Sequence, residues 1–77
     1  MEKTYYMIMR PPMPGAMPRD GLLWTKEFDS RKMVQTGQGG PRMGSAGPRM
    51  AWGKAVYCRE LTAEEMDDYE MMPAVES

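Results

Sequence analysis

The stretch Ala51-Trp52-Gly53-Lys54-Ala55-Val56-Tyr57-Cys58-Arg59, followed after Glu60 by Leu61-Thr62-Ala63-Glu64-Glu65-Met66, decides how this chain folds. Its first part reads as a strand over 51–59. Alternation puts Trp52, Val56 and Cys58 on one face with the Lys54 stem, and Ala51, Gly53, Ala55 and Tyr57 on the other. Its second part is a helix start. Thr62 and Glu65 have the spacing of a capping box, in which the threonine hydroxyl accepts from the Glu65 amide and the Glu65 carboxylate accepts from the Thr62 amide. Leu61 and Met66 occupy the staple positions on either side. Ala63, Met66, Tyr69 and Met72 then fall on one helical face. Acids in the first turns suit the positive helix end, and Pro73 stops the run. The spacing predicts an acidic helix over 62–72.

Working outward, residues 4–9 (Thr-Tyr-Tyr-Met-Ile-Met) form the other apolar ribbon. Aromatic and β-branched side chains suit a pleated, half-buried surface. Both alternating faces are apolar, which predicts a central strand, and Arg10-Pro11 ends it. Two such ribbons and one helix imply an α+β fold: a small antiparallel sheet of three or four strands, with the C-terminal helix packed on one face. Strands 4–9 and 51–59 are expected to be neighbours at its centre.

The connectors are legible by composition. Residues 11–21 hold four prolines and form a stiff Pro-rich loop closed by the turn Arg19-Asp20-Gly21. In 22–34 a hairpin is expected, with Leu22-Leu23-Trp24 pairing with the first strand, a turn at Asp29-Ser30, and Arg31 to Val34 returning. A short helix over 25–33 capped by Thr25 is the alternative. Residues 35–50 carry five glycines and two prolines and read as a mobile Gly/Pro/Arg loop. Within it Gly40-Pro41-Arg42-Met43 recurs as Gly47-Pro48-Arg49-Met50, too few copies for a repeat fold. Residues 73–77 are a tail, and the whole of 1–77 is one domain.

Composition excludes several chemistries. The 77 residues contain one cysteine and no histidine. That removes intramolecular disulfides, multi-Cys/His zinc sites and any imidazole-based triad. Cys58 has no base beside it, and the pattern sets it in a strand with Trp52 and Val56. Gly47 to Gly53-Lys54 encloses five residues where a phosphate loop has four, and Ala55 replaces the magnesium-binding hydroxyl. The acidic run lacks the central glycine of a calcium loop. Met7, Met9, Met13 and Met17 are divided between a strand and a loop, so their thioethers have no reason to converge on copper. No cofactor, metal or catalytic residue is implied. The chain reads as a non-enzyme, and with no signal-peptide or transmembrane segment its expected location is cytoplasmic.

The formal charge of −1 conceals an asymmetry. Residues 1–59 hold all ten basic residues and four acids, a net of +6, whereas residues 60–77 hold seven acids and no base, a net of −7. Trp, Tyr, Met and Arg on loops are residue types that anchor interfaces. The expected function is a protein-interaction module. Trp24 is its anchor, Glu64 and Asp68 form an acidic pair at i, i+4 for a basic partner surface, and Arg42 and Arg49 serve as loop cations. The alternative is weak nucleic-acid binding through the basic 1–59 body and the Arg42/Arg49 loop.

The segments Tyr5-Tyr6-Met7-Ile8-Met9-Arg10-Pro11-Pro12, Pro14-Gly15 and Pro18-Arg19-Asp20-Gly21 resemble the start of uncharacterised small bacterial proteins of phages and mobile elements of anaerobic gut bacteria. Ala51 to Tyr57, Arg59 to Glu65 and Tyr69-Glu70 resemble them too. The Gly/Pro/Arg loop looks like an insertion relative to them. The resemblance carries no activity and no site residue. It implies an accessory protein acting on a host or element-encoded partner.

Overall fold

The computed structural model describes residues 1–75. Its elements are β1 (Lys3–Met7), β2 (Leu22–Thr36), a 3₁₀ turn (Pro41–Met43), β3 (Gly47–Tyr57), α1 (Ala63–Tyr69) and β4 (Met71–Pro73). The fold is α+β, a four-stranded antiparallel sheet in the order β2-β3-β1-β4 with one short C-terminal helix. The two apolar ribbons lie side by side at its centre, Tyr5 opposite Ala55 and Met7 opposite Gly53.

Packing on one face explains that arrangement. Tyr5, Met7, Ala55, Tyr57, Leu61, Met66 and Met71 bury together with Ala16 and Met17 of the Pro-rich loop. Helix and loop thus roof the same side. Tyr5 and Tyr57 meet edge to face at 5.8 Å. Each hydroxyl ties down a connector: Tyr57 donates to the Pro18 carbonyl at 2.6 Å, and the Leu61 amide donates to Tyr5 at 2.9 Å. Burial pushes the Tyr57 hydroxyl up to about 12, against the opposing pull of Arg59. Gly53 lets the roof approach, because a Cβ there would collide with the Pro12 ring and the Lys26 carbonyl.

Several boundaries differ from the sequence reading, each for a tertiary reason. The expected hairpin over 22–34 is one long strand. It pairs with β3 both before and after Asp29-Ser30, and not with β1. Fifteen residues of straight strand would reach about 45 Å, yet the molecule's longest dimension is 27 Å. The strand therefore turns a corner. Glu27 faces Gly53 and Lys32 faces Ala51, so β2 spends five positions where β3 spends two. The turn propensity of Asp29-Ser30 is used for that corner.

The loop expected over 35–50 is shorter. Gln35 and Thr36 extend β2, and Gly47 to Met50 open β3. Pro48 fits because β1 ends opposite Gly53, leaving this half of β3 with a neighbour on one side only. The helix ends at Tyr69, not residue 72. Glu70 takes a left-handed conformation (φ 55°), and Met71–Pro73 join the sheet beside β1. Met71 and Met72 are fully buried there, which no exposed helix end provides. Met9 and Cys58 lie beyond their strands and are exposed. Pro73 belongs to β4, so the tail begins later than residue 73, and residues 76–77 lie outside the described residues.

The sheet curls until its edges touch. Thr36 bridges Ala74, and the Gly37 amide donates to the Pro73 carbonyl at 2.8 Å.

Candidate functional site

The second face of the β2–β3 ribbon combines apolar and basic side chains near solvent. Strand alternation sets Met50, Trp52, Lys54 and Val56 on one side of β3. Their partners across the ladder share that side: Met33 opposite Met50, Lys26 opposite Lys54, and Trp24 opposite Val56. Trp24 is 45% exposed, Met33 60% and Met50 36%. Trp52 and Lys54 are half-buried, whereas Val56 is buried.

Cations lie over the rings. On this face the Lys54 ammonium sits 5.3 Å from the Trp24 ring centroid and the Arg31 guanidinium 5.3 Å from that of Trp52; on the opposite side, with Ala51, the Lys32 ammonium lies 4.1 Å from the Phe28 ring centroid. These are cation–π distances. Lys26 directly opposes Lys54, a like-charge pairing that costs sheet stability.

The acidic helix serves a different set of cations. Arg59 makes a two-pronged contact with Glu65, at 2.9 and 2.8 Å. Those bonds, with the Thr62 amide second, hold the Glu65 carboxyl down at about 2, and Arg59 is raised in turn. Arg10 pairs with Glu70, Lys3 with Glu60, and Arg42 with Asp67 and Asp68. Among the described residues, Lys26, Arg31, Lys32 and Lys54 make no ion pair.

Of the residues singled out by sequence, Arg42 and Asp68 meet at 3.1 Å, closing a small cleft between loop and helix. Arg49 turns into its own loop and donates to the carbonyls of Met43 and Ser45. Glu64 is exposed in the first turn of α1. Trp24 stands on β2, in the ribbon described above. Lys26, Met33, Met50, Trp52 and Lys54 escaped notice as a group. The alternation of Trp52, Lys54 and Val56 is legible in the sequence, but Met50 falls in the expected 35–50 loop, and the hairpin reading pairs 22–24 with the wrong strand and so hides their neighbours.

Two further features are limited in what they offer. A shallow apolar cavity of about 430 Å³ lies between the Pro-rich loop and β2, lined by Pro12, Met13, Met17, Arg19 and Leu22. Of the four methionines weighed for copper, Met7 and Met17 are core residues and Met9 and Met13 are exposed. Among the described residues no group of three or more His, Cys, Asp or Glu side chains could hold a metal ion, and no helix is long and apolar enough to cross a membrane.

A family model described as Defence against restriction A C-terminal matches residues 2–76. It represents a domain of phage-encoded anti-restriction proteins, consistent with a phage or mobile-element type. No curated protein and no solved structure matches the chain.

Proposed function

Because this chain belongs to the Defence against restriction A C-terminal family, we propose that it is a non-enzymatic docking domain through which an anti-restriction protein engages a protein partner. The observation that carries this reading is the exposed Trp24, Met33 and Met50 on one side of the β2–β3 ribbon. Large apolar side chains on the surface of a small domain reduce its solubility, and here they mark both ends of a row on one side of the ribbon, Trp24 opposite Val56 and Met33 opposite Met50, with the half-buried Trp52 between them. Tryptophan is also enriched, with tyrosine and arginine, among the residues that anchor such interfaces. The strongly shifted groups support a non-enzymatic role. Tyr57, Arg59 and Glu65 are all engaged in holding connectors and the helix cap.

Photo-crosslinking from position 33 in phage-infected cells tests the proposal. A discrete protein adduct is expected, resistant to nuclease and lost in a Trp24→Ser variant that still folds. Adducts only with nucleic acid, or none at all from a folded protein, would refute it.

A further inference from the structure

We infer that the partner presents an acidic polypeptide segment carrying apolar side chains, and that the β2–β3 face reads both features. This rests on the docking role proposed above. The starting point is the division of charge. β2 and β3 together hold five cations, Lys26, Arg31, Lys32, Arg49 and Lys54, against two acids, Glu27 and Asp29. Carboxylates of the terminal segment take Lys3, Arg10, Arg42 and Arg59. Among the described residues none of these carboxylates pairs with a cation of the ribbon, and none of the five cations has a carboxylate partner. Lys26, Arg31 and Lys54 lie on the side of the ribbon that carries Trp52, and two of them, Lys26 and Lys54, oppose each other across the ladder. An acidic segment laid on this face would relieve that repulsion and complete the charge balance.

The aromatic rings distinguish a polypeptide from a single-stranded nucleic acid. Nucleobases would need open ring faces for stacking. Here Trp24 and Trp52 each carry a cation over the ring. A stacked base on that side would have to displace it, whereas a carboxylate can approach the cation where it sits. Met33 and Met50 add an exposed thioether pair next to this charged group. Flexible, polarisable side chains of this kind adapt to apolar groups on a polypeptide, and a phosphate backbone has no use for them.

Both tryptophans of the chain lie on the face, so their intrinsic fluorescence reports its occupancy. The probe is a synthetic peptide interspersing Glu and Asp with Leu and Phe, titrated into the intact chain. Controls are the same peptide with Gln and Asn for the acids and a thymidine oligonucleotide of matched charge. The acidic peptide is expected to shift the emission. Its affinity should fall with salt, and fall about tenfold or more in Lys26→Glu/Lys54→Glu. Lys26→Glu alone should bind the peptide more weakly yet raise the thermal midpoint, because it turns a repulsive cross-strand pair into an attractive one. A merely structural role for Lys26 would not separate the two readouts. Tighter binding by the oligonucleotide, equal binding by the neutral peptide, or an emission shift driven by protein concentration alone would each overturn the inference. A position-33 crosslink that persists in Lys26→Glu/Lys54→Glu would leave the docking role standing and remove only the acidic partner.

Discussion

Arg59 joins three parts of the molecule. Its guanidinium meets both oxygens of Glu65 and donates to the backbone carbonyl of Asp20, so one side chain connects the end of β3, the helix cap and the turn before β2. The cap itself was legible because it is local. Thr62 and Glu65 are three residues apart, and their two reciprocal bonds form as the spacing predicts. The Arg59 contact was not legible, since nothing in the order of residues says which arginine reaches the acid. The Glu65 carboxyl is depressed from 4.5 to about 2, so its stabilising effect is complete above 4.5 and is lost as pH falls toward 2. Denaturant midpoints measured across that window should fall more steeply for the wild type than for Glu65→Gln, which keeps a capping side chain but loses the charge. Parallel curves would show that the pair contributes nothing through protonation.

At the scale of elements, α1 owes its register to its N-terminus. Seven residues form too short a helix to persist alone. The cap, the buried Met66, the Leu61 contact in the same cluster and the Arg59 and Arg42 ion pairs keep it in place. Thr62→Ala should therefore destabilise the fold by about 1 kcal/mol, read from urea unfolding. A change within error would mean that tertiary packing alone sets the helix start. The periodic pattern extends past the true end of the helix because Met72 fits a helical face and a buried strand equally well. The duplicated Gly-Pro-Arg-Met makes the same point. Its first copy is a 3₁₀ turn against the helix, and its second opens a strand. At Gly40 a Cβ would collide with Asp67 and the Ala63 carbonyl, so that copy sits tight against α1. Gly47 has open space around it, and β2 draws that copy into a ladder.

The whole molecule is a sheet bent until its borders meet. The central β1–β3 ladder has partners on both sides, while among the described residues the first half of β2 is paired only with β3. Hydrogen exchange should therefore divide the chain: amides of Tyr5 to Met7 and Ala55 to Tyr57 should exchange only on global unfolding, and those of Trp24 to Glu27 should be faster. Uniform protection would contradict this layering. The amino-acid sequence by itself determined what depends on near neighbours. It specified the two apolar ribbons and their place at the centre, the Pro-rich connector, the helix start, and the separation of basic body from acidic end. These follow from side-chain periodicity, dihedral limits and hydrogen bonds spanning a few residues. Tertiary structure alone decided the corner in β2, the late strand β4, the fates of the two Gly-Pro-Arg-Met copies, and which cations the helix neutralises. Each of those depends on segments far apart in the chain competing for the same small core, and burial in three dimensions settles that competition where local preference is nearly even.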